Sequence, residues 1–166
     1  MNVTVILPAA GSSARFGRDK LSCDLGGRPL LVRTVEAFSR RPEVQQIIVA
    51  GPPGDGFESF TDRFGPVLGF HGVLVVPGGK RDRWETVSLA LAEVASEATH
   101  VAVHDAARPC VADDMLDRVF EAAASLDAVI PGVVISSTIK EIDEQGASNV
   151  AEADLLVDSI LGEETA

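Results

Sequence analysis

Residues 2–20 read NVTVILPAAGSSARFGRDK and join a short β-branched run to a turn-rich loop. The run NVTVIL has the residue types of a buried strand, and Pro8 ends it. The loop holds small residues and three basic ones, Arg15, Arg18 and Lys20. Because the formal net charge of the chain is −11, this local positive charge predicts a pocket for a small anion rather than a solvated turn.

Strand-like and helix-like segments alternate along the rest of the chain. Such alternation with short connections predicts an α/β fold: a three-layer α/β/α sandwich with a mostly parallel, Rossmann-like sheet. The predicted strands are residues 2–7, 45–50, 72–76, 100–104 and 128–135, and the predicted helices are residues 28–40, 58–64, 84–94 and 113–124.

Length and composition limit the class of protein. A chain of 166 residues, 46% of them hydrophobic, is expected to form a single domain over residues 1–166. Its first residues resemble neither a signal peptide nor a membrane anchor, so we expect a cytoplasmic protein that binds no membrane. The acidic balance argues against a nucleic-acid surface. Cys23 and Cys110 are too few for a disulfide framework or a zinc site, and we expect small, buried, reduced thiols.

Three loops at predicted strand ends, residues 9–20, 77–86 and 105–109, carry the chemistry-bearing residues. In parallel sheets ligands bind beyond the carboxyl ends of the strands. The first loop matches neither a dinucleotide fingerprint nor a Walker A motif. Its small residues allow close approach of the backbone to phosphate oxygens, while an arginine fork and a lysine point charge suit a triphosphate.

Three stretches together carry a family resemblance: LPAAGSSARFGRDK at 7–20, GGKRDRWETV at 78–87 and VHDAARP at 103–109. They resemble the 2-C-methyl-D-erythritol 4-phosphate cytidylyltransferases of isoprenoid biosynthesis, and the third stretch is the most specific. The second contains one additional residue relative to the family pattern. The resemblance extends to about Glu152 and implies a nucleotide-diphospho-sugar transferase-like fold. It also implies transfer of CMP from CTP to methylerythritol phosphate, with Mg²⁺ and release of pyrophosphate.

The resemblance also implies a role for individual residues. The triphosphate would be stabilised by Arg15 and Lys20 during transfer, and Asp105 would hold Mg²⁺ against the α-phosphate. Independently, joining two anions demands alignment and charge neutralisation, and one aspartate suffices for Mg²⁺ when the substrate supplies further ligands. The remaining nucleotide contacts would be Ala9, Ala10 and Gly11 through backbone, Gly78 or Gly79 and Thr86 at the cytosine, Arg83, and Ala106 at the ribose.

Several of these residues also have purely structural interpretations. Asp105 alone would more often cap the following turn. Arg83 fits a salt bridge at a helix start as well as a nucleotide contact. Arg108 is expected to pin its loop through internal hydrogen bonds, His104 to pack in the core, and Trp84 to pack on its helix rather than stack on a base.

The C-terminal part both follows and departs from the family pattern. Residues 135–152 resemble a protruding β-arm that crosses to a partner subunit, which implies a homodimer and places Thr138 and Lys140 at the acceptor site. Ser137 stands where the family usually has aspartate. Residues 153–164 resemble the closing helix, so the resemblance implies that this sequence joins the arm to this helix and omits the part of the C-terminal region between them. A natural omission, an engineered deletion and residues left out of the given sequence all remain open.

Three other functions compete with this interpretation. A sugar-nucleotide or molybdopterin-type nucleotidyltransferase shares the first loop but not the HDAARP stretch at 104–109. A non-catalytic nucleotide-binding module would keep the nucleotide loops without the acceptor site. A nicotinamide-dependent oxidoreductase is disfavoured by the missing glycine pattern.

Overall fold

The computed structural model describes residues 1–11 and 16–135 and two short strands at 141–142 and 148–149. It divides into two compact units, Met1–Ile130 and Pro131–Ala166. The single-domain expectation stays a prediction. The first unit consists of β1 (Val3–Pro8), α1 (Leu30–Ser39), β2 (Val44–Gly51), α2 (Asp55–Phe70), β3 (Leu74–Pro77), α3 (Arg83–Leu91), β4 (His100–Val103) and α4 (Asp113–Ala123).

The four strands of the first unit form one parallel sheet in the order β3-β2-β1-β4. Val3 pairs with both Val44 and His100, so β1 lies between β2 and β4. In chain order, β2 and then β3 lie on one side of β1, whereas the next strand, β4, lies on the other side, so the direction in which strands are added reverses at β1. This reversal is the kind of position where open α/β sheets bind ligands.

Both faces of the sheet are covered by helices, which confirms the predicted α/β sandwich. Val3, Val5 and Leu7 share a core with residues of α1, α2 and α4. Ile6 faces the opposite side, in a second cluster with Ala90 of α3. Successive side chains of a strand point to opposite faces of the sheet. A strand that is apolar at nearly every position, such as NVTVIL, is therefore expected to be buried on both faces.

Helix α2 is much longer than the predicted segment 58–64. Gly65 and Pro66 lie within it, and both residue types are unfavourable in a helix interior. Burial outweighs this local preference, because Phe60, Phe64 and Leu68 follow each other at four-residue intervals and face the core.

Two predicted strands require correction. Gly72 has a φ of 68° and belongs to the turn that ends α2, so the strand predicted at 72–76 is found at Leu74–Pro77. The described residues 128–135 form no strand. Strand formation needs a hydrogen-bonding neighbour, and none of the described strands pairs with this apolar run.

The cysteines are free thiols, as expected, but their burial was predicted wrongly. Cys110 is exposed, and Cys23 is half-buried. No helix in the described part of the chain is long and apolar enough to cross a membrane.

The second unit contains a short antiparallel pair, β5 (Glu141–Ile142) and β6 (Ser148–Asn149). Both strands fall in the segment that resembles the family's arm. Thr138, Lys140 and the helix predicted at 153–164 lie outside the described residues.

Two phenylalanines on α2 provide a matched test of the core. Phe64 is 2% exposed and Phe70 is 87% exposed. Phe64→Ala is expected to lower the free energy of unfolding by about 3–5 kcal/mol because it leaves a cavity. Phe70→Ala is expected to change it by less than about 0.5 kcal/mol. Urea unfolding measures both, and equal losses would contradict the packing described for α2.

Candidate functional site

The loops that follow β1, β3 and β4 lie at one edge of the sheet, because the strands are parallel. The ligand is expected at this edge, because the three motifs lie in these loops. β1 and β4 are neighbours at the reversal of strand order, so the first and third loops leave adjacent strands.

The first residue of the first loop still forms a hydrogen bond with the neighbouring strand β2. The N–H of Ala9 donates to the Ala50 carbonyl at 2.7 Å, and Ala9 is 4% exposed. Gly11 is exposed, which leaves its backbone accessible to a ligand. Farther along, the Lys20 ammonium lies 5.5 Å from the centroid of the Phe16 ring. Arg15 lies outside the described residues.

The second loop packs its backbone tightly against its neighbours at Gly78. The Gly78 N–H donates to the Gly51 carbonyl at 2.8 Å. A Cβ at Gly78 would lie 2.7 Å from that oxygen, 2.9 Å from the Cβ of Ala10 and 2.9 Å from the Cγ2 of Thr86. Such distances exclude a side chain at this position. Gly78 therefore brings the first and second loops into contact.

Two side chains at the start of α3 hold the second loop. The Gly79 N–H donates to the Thr86 hydroxyl at 3.0 Å, and Thr86 is 2% exposed. The Glu85 carboxylate accepts from the Arg81 N–H at 2.9 Å, and this hydrogen bond lowers the pKa of Glu85 from its ordinary 4.5. The structure thus gives Thr86 a loop-holding role. Its contact with cytosine stays a prediction.

The third loop is tied to the second through Asp105. Arg83 donates to Oδ1 of Asp105 from Nε at 3.1 Å and from Nη2 at 2.7 Å. Arg108 pairs with Oδ2 at 2.8 Å. Arg83 is therefore a salt-bridged residue at a helix start, and Arg108 pins its own loop, as the structural interpretations of these residues expected. All three side chains are partly exposed, so the pairs can be exchanged for a ligand at little cost.

The Asp105 site does not fit a protein-held Mg²⁺ in this arrangement. Both carboxylate oxygens already bind guanidinium groups. Among the described residues, no group of three or more His, Cys, Asp or Glu side chains is placed to hold a metal. A cation at Asp105 would have to replace an arginine.

The backbone of the third loop is further held by His104. Its Nε2 donates to the Arg108 carbonyl at 2.8 Å, and its ring meets Phe38 edge-on with centroids 5.0 Å apart. These contacts agree with the structural role expected for His104. Ala106 is 2% exposed, so the predicted ribose contact is covered in this structure. The packing role predicted for Trp84 is wrong, because its side chain is 63% exposed.

A cleft of about 250 Å³ lies between the first loop and α2. Ala9 and Gly11 line it on one side and Phe60 on the other, and Arg63 at its edge is paired with Asp19. Sequence reasoning missed Arg63 and also Glu85. Glu85 occupies the acidic position of the second motif, which was a usable signal, whereas Arg63 lies within the predicted helix 58–64 but belongs to none of the three motifs.

The contacts join Ala10 to Gly78 and Arg83 to Asp105 and so link all three loops. The convergence of Lys20 and Asp105 on one polyphosphate stays a prediction. A parallel α/β sheet with small-residue loops and basic side chains at the carboxyl edge is typical of one class of protein, the nucleotide-binding α/β proteins.

Comparison with known proteins specifies the class further. The family model of 2-C-methyl-D-erythritol 4-phosphate cytidylyltransferase matches residues 3–155, and the chain belongs to this family. It is 43% identical over 149 residues to the cytidylyltransferase of Frankia casuarinae, covering 87% of this chain and 53% of that protein. It is 36% identical over 162 residues to the one of Rhodopirellula baltica, covering 90% of this chain and 66% of that protein. The chain thus spans about half to two thirds of the length of these relatives.

Solved structures agree in fold. A crystal structure of 4-diphosphocytidyl-2C-methyl-D-erythritol synthase matches with a TM-score of 0.67 and 25% identity, over 89% of this chain and 68% of that one. The corresponding synthase of Anaerococcus prevotii matches with a TM-score of 0.74 and 21% identity, over 99% of this chain and 78% of that one. The family resemblance and the fold expected from it are confirmed.

Gly78 and Gly69 offer a matched test of the loop packing. Gly78→Ala is expected to destabilise the protein by about 1–3 kcal/mol, because the added methyl meets a backbone oxygen. Gly69, within α2, has no atom within 4 Å of a built Cβ. Gly69→Ala is expected to stabilise by about 0.5–1 kcal/mol. Thermal unfolding measures both changes, and a stabilised Gly78→Ala would refute the close approach.

The lowered pKa of Glu85 predicts a pH-dependent contribution to stability. A carboxylate whose pKa is lower in the folded state stabilises the fold above its unfolded value, near 4.5, and loses that effect as pH falls through the folded pKa. Glu85→Gln is therefore expected to be less stable than wild type at pH 7, with a smaller difference at pH 4. Urea unfolding across this range tests it, and a difference independent of pH would contradict the assignment.

Proposed function

We propose that the chain supplies the nucleotide site of an enzyme that transfers CMP from CTP to 2-C-methyl-D-erythritol 4-phosphate and releases pyrophosphate. The observation that carries the proposal is the linkage of three motif-bearing loops at one sheet edge, through Ala10 with Gly78 and Arg83 with Asp105. The family match over residues 3–155 and the relatives' shared name support the choice of nucleotide and acceptor.

In the proposed reaction, a phosphate oxygen of the acceptor attacks the α-phosphorus of CTP in line with the departing pyrophosphate. One P–O bond forms as another breaks, and no covalent enzyme intermediate is needed. The main difficulty is the repulsion between two anions, so the site has to align them and neutralise charge. We assign this neutralisation to Arg15 and Lys20.

The other residues bind and orient the nucleotide in this proposal. Backbone groups of Ala9, Ala10 and Gly11 approach the phosphates. Gly78 or Gly79 reads the cytosine edge, where the Thr86 hydroxyl already fixes the Gly79 N–H. The ribose lies against Ala106, a contact that requires this buried residue to become exposed when the nucleotide binds. Arg83 is close enough to these loops to exchange its carboxylate partner for a phosphate.

Magnesium at Asp105 is a separate part of the proposal. When bound, Mg²⁺ would supply charge neutralisation at the phosphates. The carboxylate is occupied by Arg83 and Arg108, so the metal would have to replace one of them. We assign no step of the reaction to the metal.

The acceptor site and the homodimer are proposed to involve residues of the second unit. Thr138 and Lys140 are proposed to lie at the acceptor site, and the segment 135–152 to form a dimer arm. An antiparallel pair within this segment, β5 with β6, supports a hairpin there. A hairpin of two strands is poorly stable alone and gains stability by packing on a partner. A cytoplasmic location accords with the proposed small-molecule substrates.

A second candidate is a nucleotide-binding module without catalysis. The specific observation in its favour is the pairing of Asp105 with Arg83 and Arg108, which occupies both oxygens of the proposed metal ligand. The two candidates share CTP binding and differ in turnover.

A pyrophosphate-release assay with CTP, methylerythritol phosphate and Mg²⁺ separates the two candidates. Release is expected from wild type. Lys20→Met is expected to lower the rate by about a hundredfold, because one charge-stabilising group is lost. Arg118→Met, on the exposed side of α4 and paired there with Asp114, is expected to retain the wild-type rate.

Nucleotide preference provides the second measurement. Thermal stabilisation by CTP but not by GTP or UTP is expected from a cytidylyltransferase. Stabilisation by CTP without pyrophosphate release would favour the binding module. Stabilisation by GTP or UTP instead would favour another branch of nucleotidyltransferases.

A further inference from the structure

A buried hydroxyl on α1 connects that helix to the third loop. Thr34 is fully buried, and its Oγ1 donates to the Ala106 carbonyl at 2.9 Å, across 72 positions of sequence. The Leu30 carbonyl, one turn earlier in α1, lies 3.3 Å from the same oxygen. Since a hydroxyl has one hydrogen, the shorter contact with Ala106 is the better bond.

Thr34 departs from the usual behaviour of threonine in a helix. Threonine hydroxyls in helices commonly bond the carbonyl four residues earlier. Thr61 on α2 does this, with the Phe57 carbonyl at 2.8 Å. At Thr34 the shorter contact is made with the loop instead. The Thr61 hydroxyl thus forms a hydrogen bond within its own helix, whereas the Thr34 hydroxyl forms its shorter one with the third loop.

The carbonyl that Thr34 holds lies next to the ion-paired carboxylate. Ala106 is 2% exposed and follows Asp105 directly. A buried carbonyl without a donor is costly, so loss of the Thr34 hydroxyl would drive this part of the backbone to rearrange. Several other contacts of the loop are internal, such as the Arg108 N–H with the Asp105 carbonyl at 3.0 Å. These close the loop on itself without attaching it to α1.

We propose that Thr34 is a positioning residue of the nucleotide site. Its hydroxyl fixes the Ala106 carbonyl and thereby sets the backbone that presents Asp105 to the ligand. The inference rests on the proposed function, because the loop is assigned there to the ribose and phosphates. Thr34 itself is fully buried beneath this loop and is not a catalytic residue.

The test compares three variants of the full chain. Thr34→Val keeps the shape and removes the donor, Thr34→Ser keeps the donor, and Thr61→Val removes a hydroxyl that serves only its own helix. Two quantities are measured: the dissociation constant for CTP by calorimetry, and hydrogen exchange of the amides at 104–109 by mass spectrometry.

Thr34→Val is expected to bind CTP about tenfold more weakly and to exchange faster at 104–109. Thr34→Ser is expected to stay within about twofold of wild type, since its hydroxyl can still donate to Ala106. Thr61→Val is expected to match wild type in both measurements. If Thr34→Val does not fold, Thr34→Ala replaces it and is compared with Thr34→Ser in the same way.

Wild-type affinity and exchange in Thr34→Val would overturn the inference. An equal loss in Thr34→Ser would also overturn it, because the effect would then come from the methyl group. If wild type binds no CTP, the proposed function fails. Hydrogen exchange at 104–109 then decides by itself whether Thr34 positions the loop.

Discussion

The pairing of β1 with β2 on one side and β4 on the other determines the arrangement of the first unit. β1 is apolar on both faces, so helices have to cover it from both sides. Along the chain, β2 and β3 are added on one side of β1, and β4 is added on the other side. The loops that leave β1 and β4 therefore start side by side, which is what gives the candidate site its location.

Positive charge is concentrated at the site, although the chain as a whole carries −11. Asp105 lies between Arg83 and Arg108, and each of its carboxylate oxygens is paired with one guanidinium group. Backbone packing at Gly78 and the hydroxyls of Thr34 and Thr86 hold the loops that carry these groups. Buried, uncharged contacts thus hold the loops, and the partly exposed ion pairs of Asp105 lie on these loops.

The sequence was informative where local pattern and burial agree, and misleading where they conflict. The β-branched run NVTVIL predicted β1, and the alternation of strand-like and helix-like segments along the chain predicted the parallel sheet. Helix α2 was underestimated because Pro66 lowers local propensity, whereas the decisive burial of its apolar face depends on tertiary packing. The pairing of Arg83 with Asp105 depends on side-chain geometry between distant segments, so the sequence left its role open. Thr34 carries no motif, and only the position of the Ala106 carbonyl gives it a role.

The central position of β1 also bears on how the chain folds as it is made. β1 is synthesised before the other strands of its sheet, yet Val3 pairs with Val44 and with His100, and the Asn2 N–H donates to the Thr99 hydroxyl at 3.0 Å. Contacts so distant in sequence form slowly, since a long stretch of chain has to be closed before they can be made. The nascent chain consequently exposes one apolar strand edge until β4 has been synthesised, an interval in which chaperones can bind it.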